Sequence, residues 1–304
     1  MKLTDISTIR ALLGEEQTSF KKKYGQNFLT NEKVIKDIAE GCLPENVSGA
    51  ECGVLEIGPG IGVLTAELCR VARKVVAVEI DSSLLPILDR TLAEFDNICV
   101  INSDIMKTDL SGLISEHFSD CPHLAVAANL PYYITTPIIM RLLESRERFE
   151  AMTVMVQKEV ADRLCAPAGS PLYGAVTASV SYYAKVTKLL SVSAGNFIPA
   201  PKVDSAVVKF TLYKEPPVKV KSEDTFFRVI KGAFGQRRKT LPNALSSEFP
   251  HIPRARIAEL VSSAGYDARV RGETLDISDF AVISDLLFEE KTNKTPDIKE
   301  EDSQ

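Results

Sequence analysis

The sequence predicts an α/β fold with a doubly wound, mostly parallel sheet carrying an antiparallel edge strand, followed by a small all-α C-terminal domain. Three observations indicate this arrangement. Short apolar runs alternate with helix-forming segments along most of the chain. One of those runs, residues 54–57, leads directly into three closely spaced glycines. After the Glu215-Pro216-Pro217 stretch the pattern changes to helices alone.

Apolar segments alternate with segments rich in glycine, proline and polar residues, and this alternation predicts the order of strands and helices. Asn31 is a plausible helix cap, and Thr136 followed by Pro137 has the composition of a helix start. The expected strands cover 54–57, 74–81, 98–102, 124–128, 152–157 and 185–192, with a closing strand from Ser205. The expected helices cover 4–13, 32–41, 64–73, 84–95, 136–146, 158–166 and 173–184.

A chain of 304 residues is long enough for a nucleotide-binding domain and a smaller companion. The last sixteen residues have six acids against three lysines and few apolar side chains, a composition typical of disorder. We expect an N-terminal helix and basic arm over 1–23, an α/β domain over 24–214, a helical RNA-binding domain over 215–288 and a disordered acidic tail over 289–304.

Composition also excludes several classes of protein. The six cysteines contain no C-x-x-C pair and lie mostly in apolar stretches, which favours reduced buried thiols over disulfides or a zinc site. The sequence has no apolar run of eighteen residues, and its first thirty residues lack the apolar core of a signal peptide. We therefore expect a cytoplasmic monomer with no bound metal and no membrane partner.

The net charge of -5 argues mildly against a nucleic-acid-binding protein, but positive charge is concentrated in two places. One is a lysine run near residue 22, and the other is the segment 226–243, which has five basic residues and no acid. Such segments are often only a solvated surface, yet a phosphate-binding face requires this clustering. The candidate RNA-binding residues are Lys21, Lys22, Lys23, Arg237, Arg238 and Lys239.

The glycine loop after the 54–57 strand is the first candidate binding element. Gly58, Gly60 and Gly62 do not follow the G-x-G-x-x-G spacing of dinucleotide folds, because Val63 occupies the third glycine position. Glu56 stands just before the loop, where its carboxylate would repel a phosphate. The E-x-G-x-G pattern resembles motif I of the class I methyltransferases, whose cofactor S-adenosyl-L-methionine is a sulfonium cation. A plain structural corner is the alternative.

Acidic residues follow the next two strands. Glu79 lies twenty-one residues after Gly58, where a carboxylate can accept both hydrogen bonds of a ribose diol. Asp104 follows the strand after that, and it can accept from an adenine amino group. Each is also compatible with an ordinary acid at a strand end, but open α/β folds bind their ligands at this edge of the sheet.

The Asn129-Leu130-Pro131-Tyr132 stretch is the most informative polar segment. Methylation of an exocyclic amine is difficult because its lone pair is delocalised into the ring, so the site must accept hydrogen bonds from the N–H groups. The Asn129 side-chain oxygen and the Leu130 carbonyl can do this, and Pro131 fixes the turn without donating. Tyr132 offers an aromatic face to the base. A structural turn at Pro131 is the alternative.

Phe197 lies at the tip of a proline-stiffened loop before the closing strand. Its ring can be the second face of a base sandwich, opposite Tyr132, as in enzymes that extrude a base from its helix. It can equally be a loop anchor that packs on the sheet. The sequence alone does not separate these two roles.

Five motifs in register resemble the ribosomal small-subunit RNA adenine N6,N6-dimethyltransferase family. The resemblance implies a class I methyltransferase (Rossmann-like) fold and transfer of four methyl groups to two adjacent adenosines near the 3′ end of 16S rRNA in the pre-30S subunit. It further implies cofactor contacts at Asn27, Leu29, Gly58, Glu79, Asp104 and Asn129. The motifs are Gly25-Gln26-Asn27-Phe28-Leu29, Glu56-Ile57-Gly58-Pro59-Gly60, Asn129-Leu130-Pro131-Tyr132, the segment 197–205 and Gln236-Arg237-Arg238-Lys239-Thr240.

Three other functions compete with this interpretation. A ribosome-assembly factor, in which binding matters more than catalysis, is compatible with the same motifs. The related large-subunit methylases that confer macrolide resistance are disfavoured by the 197–205 and 236–240 segments. A nicotinamide dehydrogenase is disfavoured by Val63 and by the absence of a catalytic histidine near any motif.

Overall fold

The computed structural model describes residues 1–15, 25–236 and 238–292. These residues form two compact units, of which the first comprises Met1–Cys165 and Ala184–Lys214. The second comprises Ala166–Tyr183 and the chain from Glu215. The predicted α/β domain runs over 24–214 without interruption, but residues 166–183 group with the helical unit because Tyr173, Ala178 and Tyr182 are buried in its core.

The first unit contains all the strands of the described chain. They are β1 (Phe28–Leu29), β2 (Cys52–Ile57), β3 (Lys74–Glu79), β4 (Ile98–Asn102), β5 (His123–Asn129), β6 (Phe149–Gln157), β7 (Ala184–Val192), β8 (Phe197–Ile198) and β9 (Ser205–Leu212). Seven of them form one sheet in the order β4-β3-β2-β5-β6-β9-β7. The short strands β1 and β8 pair with each other in a separate antiparallel ribbon.

The main sheet is the doubly wound, mostly parallel sheet that the sequence predicts. Strands β4, β3, β2, β5 and β6 are parallel neighbours. Strand β9 runs antiparallel to both β6 and β7. The antiparallel strand is thus one position in from the edge, and the expectation of an antiparallel edge strand is wrong in this detail. The short connection from β7 back to β9 makes them antiparallel neighbours and leaves β7 as the edge strand.

Helices of the first unit cover the sheet and connect its strands. Asn31 caps the helix that begins at Glu32 as expected, because its side chain accepts hydrogen bonds from Lys33 N and Val34 N. The expected cap at Thr136 is wrong, since the helix there begins at Thr135 and has no side-chain cap. The helices are α1 (Ile6–Glu15), α2 (Glu32–Gly41), α3 (Val63–Val71), α4 (Leu85–Thr91), α5 (Leu110–His117), α6 (Thr135–Glu144) and α7 (Lys158–Leu164).

Strand β2 lies at the centre of the parallel part of the sheet and all six of its residues are buried. A continuous apolar strand is the expected composition where helices cover both faces of a parallel sheet. The one acid on this strand, Glu56, is also buried, with only 1% of its surface exposed. Burying a carboxylate in an apolar core costs free energy. The position of Glu56 near the end of β2 therefore suggests a functional site at the adjacent edge of the sheet.

Within the described residues of the second unit, the regular elements are all helices. Its core is built on Phe226, Phe249 and Phe280, each essentially inaccessible to solvent. The helices are α8 (Ala175–Tyr183), α9 (Glu223–Gly235), α10 (Leu241–Leu245), α11 (Arg254–Ser263) and α12 (Ile277–Thr292). No described helix in either unit combines the length and the apolar composition that a membrane crossing needs.

The packing around Gly53 provides a test of the central strand. A Cβ atom added there would lie 2.4 Å from Cδ1 of Phe118, whose ring is fully buried. We expect Gly53→Ala to lower the free energy of unfolding by about 1–3 kcal/mol, because the core has no room for the methyl group. Urea unfolding followed by circular dichroism measures the change.

Gly14→Ala is the matched control, because no atom lies within 4 Å of a Cβ added at Gly14 in helix α1. We expect this variant to keep or raise the free energy of unfolding, by up to about 1 kcal/mol, since alanine restricts the unfolded chain and glycine does not. Equal effects of the two substitutions would contradict the tight packing at Gly53.

Candidate active site

A cavity opens at the edge of the sheet where strands β2, β3 and β5 end. Parallel strands bring their carboxyl ends to the same edge, and the loops that follow them surround the opening. Four loop segments line it, together with Ile38 and Met155. The segments are 25–29, the turn around Gly58 and Gly60, the end of β3 with Glu79 and Ile80, and Asn129 to Tyr132.

The turn that contains Gly58 and Gly60, here called the glycine turn, exposes its backbone to the cavity without an intervening side chain. Gly58 has a φ of 70°, in the left-handed region that favours glycine, and a Cβ placed there would meet no atom within 4 Å. Gly60 has a φ of 61°, and a Cβ there would lie 2.8 Å from the Phe28 ring. A side chain at Gly58 would therefore occupy free space beside the turn, which is the space that a ligand close to the backbone needs.

Glu79 is fixed by backbone hydrogen bonds at the end of β3. Its Oε2 accepts from Gly60 N at 3.2 Å and its Oε1 accepts from Asp81 N at 2.8 Å. Burial raises the pKa of this carboxyl above its ordinary value. These bonds tie the acid to the glycine turn, so the two sequence-predicted elements Gly58 and Glu79 line the same cavity.

Glu56 is the second acid of the cavity and has fewer partners. Its Oε2 atom has no hydrogen-bond partner among the described residues. Burial, followed by the nearby Glu79 carboxylate, raises its pKa to about 8. A buried carboxyl with one unpartnered oxygen beside an open cavity favours a positively charged ligand, because a cation offsets the cost of ionising the acid in a low-dielectric site.

The Asn129 side chain is oriented by the segment that precedes α2. Its Nδ2 atom donates to the backbone carbonyl of Asn27 at 3.1 Å. Because a carbonyl can only accept, the amide nitrogen must face Asn27, and Oδ1 is left as an acceptor for another donor. Asn27 and Asn129 both line the cavity. The structure therefore brings these two sequence-predicted residues into direct contact.

The rest of the Asn-Leu-Pro-Tyr segment continues along the rim of the cavity. The Leu130 side chain is buried, and the Pro131 carbonyl accepts from Ile134 N and from the Thr135 hydroxyl. Tyr132 is half-buried, and its hydroxyl forms a 2.6 Å hydrogen bond with the Ser205 hydroxyl. Burial raises the pKa of the Tyr132 phenol, so it stays neutral at physiological pH.

Two of the sequence-predicted site residues do not contact the cavity. Asp104 follows β4 and accepts from Met106 N at 3.0 Å, and it is not among the described residues that line the opening. Phe197 is only 5% exposed, lies opposite Leu29 in the β1–β8 ribbon, and belongs to the main core. Of the two roles that the sequence leaves open for Phe197, its packing matches the loop anchor, because a buried ring has no free face for a base.

Three residues at this edge were missing from the predicted site. Gln26 donates to Asp81 Oδ2 at 3.0 Å and so joins the 25–29 segment to the end of β3. Ile80 and Tyr133 are 47% and 64% exposed at the rim. The sequence signal for Ile80 is an apolar residue between two acids, Glu79 and Asp81, at a strand end. For Tyr133, the one sequence feature that indicates a place at the site is its position directly after Tyr132.

The basic residues of the second unit divide into paired and unpaired groups. Arg228 and Lys231 on α9 are ion-paired with Asp224 and Glu248. Arg238 and Lys239 are exposed and form no ion pair with any described residue. Lys21, Lys22, Lys23 and Arg237 were also predicted to bind RNA, and they lie outside the described residues.

Arg254 adds a basic residue that sequence reasoning did not include. Its Nη1 atom donates to Asn243 Oδ1 at 3.3 Å, and Asn243 Nδ2 donates to the Thr240 hydroxyl at 2.9 Å. Thr240 directly follows Lys239, so this chain of hydrogen bonds places Arg254 beside the predicted basic turn. Arg254 is exposed and is not ion-paired within the described chain.

The parallel sheet, the glycine turn and the acid after its second strand are those of a class I methyltransferase. Two solved structures share the fold. A dimethyladenosine transferase from Plasmodium falciparum is 27% identical with a TM-score of 0.71, over 87% of this chain and 98% of that one. The 23S rRNA methyltransferase ErmE is 26% identical with a TM-score of 0.66, over 86% and 100%.

The chain belongs to the ribosomal RNA adenine dimethylase family, whose model matches residues 17–281. It is 46% identical over 289 residues to the ribosomal RNA small subunit methyltransferase A of Geobacillus thermodenitrificans, covering 93% of this chain and 97% of that relative. It is 44% identical over 283 residues to the protein of the same name from Alkaliphilus metalliredigens, with the same coverage. The family, the fold class and the enzyme class predicted from the motifs are confirmed.

Glu56 makes stability depend on pH in a defined direction. The unfolded chain ionises this carboxyl near 4.5 and the folded protein near 8, so the folded state holds the extra proton between those values. Its contribution to stability is full at acid pH and is lost as the pH rises towards 8, by at most about 1.4 kcal/mol per pH unit. We expect Glu56→Gln, which stays neutral, to remove this loss in urea unfolding measured from pH 5 to pH 8.

Glu116→Gln is the control for that experiment, because Glu116 is exposed on the surface. We expect the control to follow the wild-type curve at every pH. Parallel curves for the wild type and Glu56→Gln would contradict the buried, protonated state of Glu56.

Proposed function

We propose that this enzyme transfers methyl groups from S-adenosyl-L-methionine to N6 of two adjacent adenosines near the 3′ end of 16S rRNA. The substrate is the maturing small subunit in the cytoplasm, and the enzyme acts as a monomer. The observation that carries the proposal is the Asn129 amide, whose oxygen is left free to accept at a cavity that also contains the glycine turn. The small-subunit methyltransferase A relatives, at 44–46% identity, favour this substrate over large-subunit RNA.

The residues of the cavity fit the cofactor. When bound, S-adenosyl-L-methionine supplies an electrophilic methyl group carried on a sulfonium cation. The free space at Gly58 suits a ligand that lies against the backbone, and the unpartnered Oε2 atom of Glu56 suits its positive charge. Glu79 is placed to accept from a ribose diol. We assign Asn27, Leu29 and Asn129 to the same site because they line the cavity, and Asp104 by family resemblance alone.

The chain's own groups prepare the adenine nitrogen for transfer. Asn129 Oδ1 and the Leu130 carbonyl accept hydrogen bonds from the N6 amino group, which favours a tetrahedral nitrogen with a localised lone pair. Pro131 has no N–H and so presents no donor that would compete for that lone pair. Tyr132 stacks on the base. After the first transfer one N–H remains for either acceptor, so the same groups serve the second round.

We propose that RNA phosphates contact an unpaired basic patch of the second unit, defined as Arg238, Lys239 and Arg254. Arg228 and Lys231 are less suited, because their charge is offset by Asp224 and Glu248. Arg228 also stacks over the Phe249 ring, with 4.6 Å between Cζ and the ring centroid. Lys21, Lys22, Lys23 and Arg237 remain candidates from the sequence.

Asn129→Ala tests catalysis directly. We expect kcat for methyl transfer to unmethylated small subunits to fall about 100-fold or more, since the variant loses an acceptor aimed at the reacting nitrogen. Labelled cofactor, followed by mapping of dimethyladenosine in the RNA, measures the change. Calorimetric titration with S-adenosyl-L-methionine reports any separate loss of cofactor binding. A variant that keeps more than half the wild-type rate, or label found only on large-subunit RNA, would contradict the proposal.

The same variant separates catalysis from a role in assembly. We expect cells that carry only Asn129→Ala to lack dimethyladenosine and to show the growth defect of the deletion strain. If subunit maturation is normal with Asn129→Ala and impaired only by deletion, binding is the principal function of the protein.

The unpaired basic patch is tested by its salt dependence. We expect the triple variant Arg238→Ala, Lys239→Ala, Arg254→Ala to bind small-subunit RNA more weakly than the wild type. The slope of log affinity against log salt should become shallower by about one for each phosphate that the variant no longer neutralises. Arg256→Ala is the matched control, because Arg256 is exposed but ion-paired with Glu259 and Glu290. Equal losses of affinity in the triple variant and the control would refute the assignment.

A further inference from the structure

The hydrogen bond between Tyr132 and Ser205 joins two motifs that are 73 residues apart in the chain. Tyr132 ends the Asn-Leu-Pro-Tyr segment, and Ser205 ends the segment 197–205. The two hydroxyl oxygens are 2.6 Å apart, a short distance for a neutral pair. The second motif therefore contributes a specific contact to the aromatic residue of the first.

Ser205 is held firmly at its position. It is the first residue of β9, which lies between β6 and β7, and it is opposite Gln157 on one side and Val192 on the other. The residue before it is also fixed, because the Asp204 carbonyl accepts from Lys158 N and its carboxylate accepts from Ala194 N. The backbone of Ser205 is thus held on both sides by the sheet.

Solvent does not compete for this hydroxyl, because Ser205 is completely buried. A buried hydroxyl that loses its partner is left unsatisfied, so the bond to Tyr132 has no substitute in water. Tyr132, in contrast, lies in the loop between β5 and α6 and is half-buried at the cavity. The fixed member of the pair is the serine, and the member that needs orientation is the tyrosine.

We propose that Ser205 is a positioning residue, which holds the Tyr132 ring in the orientation that stacks on the target adenine. This role rests on the proposed function. It acts through one atom, the Tyr132 hydroxyl, which points away from the stacking face of the ring. Ser205 itself touches neither the cofactor nor the base.

A double-mutant cycle on the full-length protein tests this role. We expect Ser205→Ala and Tyr132→Phe each to lower kcat/KM for unmethylated small subunits about three- to tenfold, because each keeps the aromatic ring but removes the hydrogen bond that orients it. The double variant should show the same loss and no more. The dissociation constant for S-adenosyl-L-methionine should stay within about twofold of the wild type in all three.

Ser284→Ala is the matched control, since Ser284 is also a buried serine and its hydroxyl donates to the Ala281 carbonyl within α12. We expect it to leave kcat/KM unchanged. Full activity of Ser205→Ala overturns the inference. The inference is also overturned if the loss of kcat/KM in the double variant equals the product of the two single losses. Ser205 would then affect activity independently of the Tyr132 hydroxyl. A wild-type protein that methylates no small-subunit RNA overturns the proposed function as well.

Discussion

The hydrogen bond from the Asn129 amide to the Asn27 carbonyl is the interaction on which the site depends. At the carboxyl edge of a parallel sheet the ladder of backbone hydrogen bonds ends, so loops there must be held by other contacts. This bond ties the loop after β5 to the segment before α2, and it leaves Oδ1 of the amide as an acceptor for another donor. The same contact therefore joins two segments that line the cavity and orients the Asn129 amide.

Similar contacts join the remaining loops around the cavity. Gln26 donates to Asp81, which follows β3, and Asn31 donates to Asn196 just before β8. The Thr30 amide also donates to the Asn196 carbonyl. The segment from residue 25 to residue 31 thus touches three other loops.

The charge of the cavity selects the type of ligand. Two buried acids, Glu56 and Glu79, line it, and no lysine, arginine or histidine is among its described lining residues. Where these acids are ionised, they repel a pyrophosphate and stabilise a cation. The second unit carries exposed basic residues that are not ion-paired within the described chain, at Arg238, Lys239 and Arg254. The net charge of -5 thus coexists with an acidic cavity in the first unit and with exposed basic residues in the second.

The strands and helices could largely be predicted from the sequence, because each one depends on the pattern of residues within its own segment. Apolar runs gave the strands, and the expected strand over 98–102 and helix over 32–41 match the structure. Contacts between distant segments could not be read in this way. The burial of Phe197, the Tyr132–Ser205 bond and the packing of residues 166–183 with the helical unit all depend on which elements become neighbours. Local composition does not encode that information.

A crystal structure with S-adenosyl-L-homocysteine, the demethylated cofactor product, tests the central claim most directly. We expect the ligand to lie against the Gly58 backbone with its ribose at Glu79, and the Asn129 amide to keep its bond to Asn27 with Oδ1 facing the ligand. A ligand bound away from the glycine turn, or an Asn129 side chain rotated so that its oxygen faces away from the cavity, would contradict this account.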